Sequence, residues 1–313
     1  MLDALGVADA EPGSAELVHT VLEVAKLAFA DREAWYGDPR HSDVPLATLL
    51  SPAYASARAA LVGPTAADGL RPGSPDGRTP RLAATFGIPV DGVWPGRTST
   101  VDDLVQGVGE PTVSSTGLSP GDTCHVDVVD RWGNLVSATP SGGWLQSSPV
   151  VPGLGFPLPT RAQMFWLEPG LPSSLLPGAR PRTTLSPGLV LRDGAPGFAF
   201  GTPGGDQQDQ WTVPFLLEHL LFGRDLQQAI DAPSWHSAHV PSSFYPRVSV
   251  PRGVDAESRL GADVLAELAR RGHVVRDAGP WSLGRISAAG VRPDGMLHAA
   301  ANPRGMQGYA VGR

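Results

Sequence analysis

The sequence predicts an α+β fold in which strand pairs alternate with helices, an order that suits a layered sandwich better than a parallel βαβ sheet. A β-branched run over 125–130, a Gly/Asn turn and a second run over 135–139 indicate a hairpin. Another strand pair is expected over 189–192 and 198–200, joined through Asp193-Gly194. With 313 residues, 41% of them hydrophobic and 18% charged, the chain can bury a substantial core.

Two helices are expected at the front of the chain. Ser14 is a natural N-cap for a helix with apolar residues through 17–29 that ends near Tyr36-Gly37. Ser51-Pro52 places a cap and an N1 proline ahead of a second helix, and Gly63 is a natural stop.

The composition changes between this helical part and the hairpin. From 63 to 122, Pro, Gly, Ser and Thr recur and no helical or strand period persists. Because structureless runs of this length are rare inside compact domains, we expect a flexible segment that becomes a free tail if the chain is cut at its end. An ordinary surface loop is the alternative. The chain thus divides into a helical region 1–62, this segment 63–122 and a mixed region 123–313.

The mixed region carries further signals beyond its strand pairs. A helix is expected over 208–222, with Pro214 confined to its first turns. Asp255 can cap another helix that ends at Arg271-Gly272, and Pro293-Asp294-Gly295 marks a late hairpin.

Charge and cysteine content argue against several classes of protein. A formal net charge of −7 disfavours a general nucleic-acid binder, which needs clustered Lys and Arg. The single cysteine allows no disulfide within the chain and gives no metal-ligand spacing, so neither a metal nor another cofactor is expected. No apolar run approaches about 18 residues, which disfavours a membrane span. Residues 1–4 do not open an export signal, so a cytoplasmic location is the default expectation.

Thr123 stands at the head of the predicted hairpin and is a candidate nucleophile. A cut between Asp122 and Thr123 would give the hydroxyl an α-amino group on its own residue, with an ordinary pKa of roughly 7.7 to 8.0. A base attached to the nucleophile's own residue is one way to activate a weak hydroxyl. Taken alone, however, the stretch favours a threonine that merely begins a strand.

Five segments of the chain are more informative together than any one of them is alone. They are 25–32 with Gly37-Asp38-Pro39, Leu50-Ser51-Pro52 with Tyr54 and Arg58, 123–130 with Gly133-Asn134, 180–187, and 201–205. In this order they resemble segments of the γ-glutamyltranspeptidase family, the first two in its large subunit and the others in its small subunit. The resemblance implies an N-terminal nucleophile hydrolase with a four-layered αββα sandwich, made as a proenzyme that cleaves itself.

The resemblance also implies catalytic roles for four residues. Thr123 would attack the Asp122 carbonyl to cut the chain and would then attack a substrate amide. Ser141 stands where the family has a hydroxyl that orients the nucleophile. Gly204 and Gly205 match the family's oxyanion-hole glycines, and a loop between a strand and a helix can direct backbone N–H groups at negative charge.

The substrate-binding residues match the family only in part. Thr183 and Thr184 replace a serine pair that holds the substrate's carboxylate. Gly143 replaces an Asn, and the segment 158–166 has no Asp, so the family's partners for a substrate ammonium are lost.

These departures favour a donor other than a γ-glutamyl compound, without identifying it. Arg161 suggests an acidic group in the substrate, and Trp144, Phe165 and Trp166 suggest a bulkier or more apolar acyl part.

A partner region is also expected. The family's large subunit has a few hundred residues ahead of the helix matched here, so we expect an incomplete sandwich in this chain. After self-cleavage a large-subunit/small-subunit heterodimer would form with that N-terminal region and would act on a small-molecule amide or peptide.

Three other interpretations stay open at this point. Cys124 could serve as the nucleophile, but adjacent strand residues face opposite ways, so it cannot easily pair with His125. The Gly-Leu-Ser-Pro-Gly run at 117–121 fits a serine-hydrolase elbow, although Pro120 lacks the N–H that such an oxyanion hole needs. The chain could also be a non-catalytic relative that keeps the fold.

Overall fold

The computed structural model describes residues 1–84, 88–89, 123–142, 150–244, 247–304 and 308–312, with the backbone alone at 88–89. The helices are α1 (Ala15–Trp35), α2 (Leu46–Leu49), α3 (Pro52–Ala59), α4 (Gln207–Leu216), α5 (Leu226–Asp231) and α6 (Ala262–Arg270). The strands are β1 (Ile88–Pro89), β2 (Val126–Val129), β3 (Leu135–Ala138), β4 (Gly188–Arg192), β5 (Ala195–Gly201), β6 (Trp235–Ser237), β7 (Val248–Ser249), β8 (Gly253–Ala256), β9 (Val274–Asp277), β10 (Ser287–Val291) and β11 (Leu297–Ala301). The predicted mixture of helix and sheet is confirmed.

The strands form four separate groups. An antiparallel sheet has the order β11-β10-β5-β4, and β2 pairs with β3 as a hairpin of its own. In the three-stranded group β6-β8-β9, β6 is antiparallel and β9 parallel to β8. β1 and β7 make a short parallel pair. The hairpins expected at Gly133-Asn134, Asp193-Gly194 and Pro293-Asp294-Gly295 are therefore confirmed.

Helices cover one face of the four-stranded sheet, and the β2–β3 hairpin covers the other. Phe198 and Phe200 of β5 pack in a buried cluster with Trp211 and Phe215 of α4. On the opposite face Ser137 of β3 donates to the Phe200 carbonyl over 2.9 Å. The hairpin therefore lies directly on the sheet as a separate layer.

Most residues of helix α1 are buried, so other parts of the chain pack around it. Its N-cap is the predicted one, since Ser14 Oγ accepts from Leu17 N. Val18 and Leu22 pack against Trp235 and the three-stranded group. Among the described residues, no helix is long and apolar enough to cross a membrane.

The stretch 63–73 lies along α1 and is anchored by buried polar groups of that helix. Gly73 N donates to Asp31 Oδ1 over 2.6 Å, and Trp35 Nε1 donates to the Gly73 carbonyl over 3.0 Å. Ala67 N donates to Glu23 Oε2 over 3.2 Å. Beyond residue 84 the segment expected to be flexible falls almost wholly outside the described residues, so that expectation stays a prediction.

Three details of the predicted helices were wrong. The second helix ends at Ala59 rather than at Gly63. Pro214 lies late in α4, and the helix continues beyond it as a π-helical turn over Leu217–Leu221, which absorbs the irregularity. Asp255 caps no helix: it lies in β8, where its buried carboxylate contacts His236 Nε2 at 3.2 Å, and Gly261 precedes α6.

Three buried histidines lie where α1 meets the segment that carries β6, β8 and β9. Because a carbonyl only accepts, His19 Nε2 donates to Gly63 O over 2.8 Å, and His19 Nδ1 accepts from His273 Nε2 over 2.8 Å. Burial, reinforced by the positive charge of Lys26, lowers the pKa of His239 to about 4 and that of His273 to about 3. Both imidazoles are therefore neutral at pH 7.

We expect the free energy of unfolding to fall as the pH drops below about 6.5. The unfolded chain protonates His239 and His273 near the ordinary pKa, whereas the folded chain resists protonation down to about 4 and about 3, so acid favours unfolding. Each pH unit in this window costs up to about 1.4 kcal/mol per histidine. Urea unfolding at a series of pH values measures the slope. His273→Gln should reduce it and His41→Gln, at an exposed site, should not; a pH-independent free energy would contradict the prediction.

Candidate active site

The inner face of the hairpin carries a ladder of paired polar side chains. Thr123 Oγ1 lies 2.6 Å from Ser141 Oγ, and one rung below, His125 Nδ1 lies 2.7 Å from Thr139 Oγ1. The register that pairs Val126 with Ala138 continues through both rungs. The hairpin thus brings together two residues that the sequence singled out, Thr123 and Ser141.

Cys124 faces the other way. Strand alternation places its side chain on the outer face of the hairpin, where the thiol is exposed beside Val126 and Val128. Cys124 therefore shares no face with Ser141 or His125, as the sequence argument on adjacent residues expects.

The glycine loop, residues 201–205, leaves the end of β5 and leads into α4. Gly204 and Gly205 have φ angles of 135° and 54°, a backbone region that favours glycine. A Cβ on Gly204 would lie 2.4 Å from Trp211 Cζ3, so only glycine fits. Their carbonyls accept from Gln207 N and Gln208 N, while neither glycine N–H donates to any group in the described part of the chain. The loop therefore offers two backbone donors at a helix N-terminus.

The hairpin and the glycine loop meet at the same edge of the sheet. The His125 ring lies against Gly201, whereas the turn of the hairpin lies farther along, with Gly133 facing Val291 of β10. The N-terminal end of β2 therefore lies beside the C-terminal end of β5. Thr123, two residues before His125, lies at the edge where the glycine loop begins.

Arg161 lies beside the Thr123–Ser141 pair. Thr160 N donates to the Gly142 carbonyl over 2.7 Å, which ties this segment to the residue after Ser141. The Arg161 side chain is buried, its guanidinium rests against Gly142, and its Cζ lies 5.6 Å from the centre of the Phe244 ring. A buried positive charge thus contacts the residue that follows Ser141.

The two threonines expected to bind substrate differ in their surroundings. Thr184 is only 3% exposed, and its Oγ1 has no hydrogen-bond partner among the described residues. Thr183 is exposed, and its Oγ1 accepts from Leu185 N over 3.1 Å. Of the pair, Thr184 has the hydroxyl with unused hydrogen-bonding capacity. Asp122, Ser119, Gly143 and Trp144 lie outside the described residues.

A chain of four charges, of which Glu33 is buried and the other three are half-buried, supports both the glycine loop and the threonine pair. Its members alternate in sign in the order Arg182, Glu33, Arg32, Asp206. Arg182 Nη1 bonds to Glu33 Oε1, from which Arg32 Nη2 lies 3.5 Å, and Arg32 Nη2 also donates to Asp206 Oδ1 over 3.0 Å. Asp206 directly follows Gly205, and Arg182 directly precedes Thr183. We call these four residues the charge chain.

Asp206 stays ionised within the charge chain. Burial alone would raise the pKa of this carboxyl, but the positive charges of Arg32 and Arg182 and two hydrogen bonds from Ser243 lower it. Ser243 N and Ser243 Oγ each lie 2.6 Å from an Asp206 oxygen. Sequence reasoning missed Glu33, Asp206 and Ser243, since only the adjacency of Asp206 to the paired glycines hinted at a role.

Asp38 makes a second link across the predicted cleavage point. Hydrogen bonds from Arg40 and Arg180 hold the pKa of its carboxyl far below the usual range. Arg180 N donates to Asp38 Oδ2 over 2.8 Å, and Arg180 Nη2 lies 3.2 Å from Oδ1. This contact fixes the start of the segment that leads to Thr183 and Thr184.

One group of residues has the geometry of a metal site, away from the hairpin. Donor atoms of His19, Glu23 and His273 all lie within 4.8 Å of one another. Glu23 is already paired with Lys26 at 2.5 Å and with Arg71 at 3.4 Å. These two positive charges oppose the binding of a cation, so we do not assign a metal to this group.

We expect Glu33→Gln to destabilise the fold by about 3–5 kcal/mol, because it removes the buried negative charge that the half-buried Arg32 and Arg182 share. Asp43→Asn is the matched control: Asp43 is 85% exposed and pairs with Arg78 at 2.9 Å. Its loss should cost less than about 1 kcal/mol. Urea unfolding of both variants measures the difference, and equal small effects would contradict a structural role for the charge chain.

Comparison with known proteins places this geometry in a family. The gamma-glutamyltranspeptidase family model matches residues 1–312. The glutathione hydrolase proenzyme of Pseudomonas aeruginosa is 31% identical over 94% of this chain and 46% of its own length. The solved structure of LmbA2991HD is 55% identical, with a TM-score of 0.83, over 97% of this chain and 49% of that one.

A more distant solved structure shows the fold alone. Cephalosporin acylase from Bacillus halodurans is 24% identical, with a TM-score of 0.72, and the match covers 99% of this chain and 48% of that one. The chain spans about half the length of the relatives it matches. On the family match over 1–312, the chain belongs to the gamma-glutamyltranspeptidase family.

Proposed function

We propose that this chain carries the active site of an autoprocessing amidohydrolase or acyltransferase with Thr123 as N-terminal nucleophile. The observation that carries the proposal is the 2.6 Å contact between Thr123 Oγ1 and Ser141 Oγ at the edge where the glycine loop begins. Ser141 would donate to Thr123 Oγ1 and fix its direction. The outward position of Cys124 supports the hydroxyl rather than the thiol.

The proposed processing step uses the same hydroxyl. Thr123 Oγ1 attacks the carbonyl carbon of Asp122, the peptide C–N bond breaks, and the Thr123 nitrogen takes a proton as the new α-amino group. The Asp122 carbonyl is then an ester on Oγ1, and water hydrolyses it. The products are residues 1–122 and a piece that begins with Thr123.

Turnover would repeat this chemistry on a substrate amide. The Thr123 α-amino group accepts the hydroxyl proton, directly or through one water, as Oγ1 attacks the carbonyl carbon. The N–H groups of Gly204 and Gly205 would stabilise the oxyanion, a contribution typically worth about 2.7–4 kcal/mol per donor. The leaving amine takes the proton, and water or a second amine then removes the acyl group from Thr123.

The proposed acyl donor is a small amide with a carboxylate. Two groups support this proposal: the buried guanidinium of Arg161 beside Gly142, and the hydroxyl of Thr184, which has no hydrogen-bond partner among the described residues. Thr183 would contribute less, since its hydroxyl already accepts from Leu185 N. Acylase and oxamate amidohydrolase proenzymes stand beside glutathione hydrolases among the curated relatives, which supports a donor other than a γ-glutamyl compound.

The proposed enzyme keeps both pieces together after cleavage, as a large-subunit/small-subunit pair. The contacts of Glu33 with Arg182 and of Asp38 with Arg180 cross the cleavage point and support this. We also propose the four-layered sandwich. Helices, sheet and hairpin already form three successive layers, and the exposed valines on the outer face of the hairpin would lie under a further layer: Val126, Val128 and Val136.

Thr123→Ala should abolish cleavage, because it removes the attacking oxygen of the processing step. Intact mass of the purified protein measures the outcome: the wild type should give pieces that divide between Asp122 and Thr123, and the variant a single mass. Cys124→Ser is the control and should be cut like the wild type. A wild-type protein that stays uncut in its full native form would refute the mechanism. Cleavage of the Thr123→Ala chain would show that another residue is the nucleophile of the processing step.

Arg161→Gln should lower kcat/KM for acidic donors about 10- to 100-fold, the value of one hydrogen bond between charged groups. Glutaryl anilide and its methyl ester form a matched pair that differs in one negative charge. We expect the loss with the acid and little change with the ester, and partial recovery of acid turnover in Arg161→Lys. Equal losses with both donors would refute a charge-specific role.

A further inference from the structure

We propose that His125 is a positioning residue, which fixes the hairpin that carries Thr123 against the strand that carries the glycine loop. The inference rests on the proposed function, because the two elements so aligned are the proposed nucleophile and the proposed oxyanion donors. His125 itself would touch neither the substrate nor the reacting atoms.

Both ring nitrogens of His125 are engaged, so the plane of the ring is fixed. The side chain is 2% exposed, and its Nε2 lies 2.9 Å from each carboxylate oxygen of Asp127. Since a carboxylate only accepts, Nε2 carries the proton. Thr139 Oγ1, across the hairpin at 2.7 Å, bonds to Nδ1. The ring can neither flip nor swing without loss of a buried hydrogen bond.

The same pair of residues holds the hairpin to the sheet at two adjacent points. Ser287 Oγ of β10 donates to Asp127 Oδ2 over 2.8 Å. Ser287 pairs in register with Gly201 of β5, and the His125 ring lies against Gly201. His125, directly before β2, and Asp127 of β2 thus contact one residue pair of the sheet.

Gly201 is the residue that permits this approach. A Cβ there would lie 2.3 Å from His125 Cε1 and 2.7 Å from Nε2, far inside van der Waals contact. The ring therefore sets how closely the hairpin can approach β5 at this point. The chain enters the glycine loop at this residue, and Gly204 follows three residues later.

Because the contact lies close to Thr123, a small shift of the hairpin would change the reaction rate. Thr123 lies two strand residues from His125, roughly 6.6 Å along the chain, and both point to the inner face. A displacement of about 1 Å between nucleophile and electrophile can cost on the order of 100-fold in rate. Apolar side chains would fill the space between the layers without buried polar groups, but only directional hydrogen bonds fix the hairpin in one place.

Two substitutions, one on each side of the contact, test the inference. The measured quantity is the rate of self-cleavage of the full chain, which intact mass monitors over time. Gly201→Ala and His125→Ala should each slow cleavage about 100-fold. In the double variant the methyl group occupies the space that the ring leaves. Its rate should therefore match that of His125→Ala alone instead of showing the product of the two losses.

Conservative variants separate positioning from folding. His125→Gln keeps a donor near the place of Nε2 and should recover part of the cleavage rate, whereas His125→Asn, which cannot reach Asp127, should not. Val126→Ala, on the outer face of the same strand, is the matched control and should cleave like the wild type. Urea unfolding establishes that each variant is folded at the assay temperature.

The outcomes separate this inference from the proposed function. A wild type that cleaves, together with folded His125→Ala and His125→Gln variants that cleave equally fast, overturns the positioning role alone. If the loss of cleavage rate in the double variant equals the product of the two single losses, the contact with Gly201 is not the basis of the positioning role. A wild type that never cleaves overturns the proposed function and the positioning role with it.

Discussion

The charge chain is the interaction on which the rest of the site depends. Glu33 and Arg32 of α1 connect Arg182, at the start of the threonine pair, to Asp206, at the end of the glycine loop. Removing one charge from such a paired set leaves its partner uncompensated, which destabilises the fold. The segment that precedes β4 and the segment that follows β5 are therefore held by one helix, and that helix comes from the far side of the predicted cleavage point.

A second constraint joins the hairpin to this framework. The charge chain holds the glycine loop from behind, whereas the ladder of His125, Thr139 and Asp127 holds the hairpin in front of it. Both use buried polar groups that need particular partners, so each element has one stable position. The two hydroxyls of Thr123 and Ser141 then meet at the mouth of the hairpin.

Structural features that depend on a few neighbouring residues, such as helix caps and tight hairpins, were predictable from the sequence. The cap at Ser14 and the strands around Asp193-Gly194 depend on a few neighbouring residues, and both are confirmed. A short acidic residue before a helix is typical of an N-cap, and this pattern predicts a cap at Asp255, yet Asp255 pairs across strands with His236. The ion pair of Glu33 with Arg182 joins residues 149 positions apart, and no local pattern signals it. The family resemblance gave the candidate site residues, and the packing around them was not predictable from composition or periodicity.

In the proposed mechanism Thr123 carries the acyl group during turnover. Acid quench of the processed enzyme with a slow donor such as glutaryl anilide, followed by peptide mapping, measures this directly. We expect a glutaryl ester on the peptide that begins with Thr123, formed on its hydroxyl and resistant to neutral hydroxylamine. A hydroxylamine-labile thioester on Cys124, or a trapped acyl group on any other peptide, would contradict it.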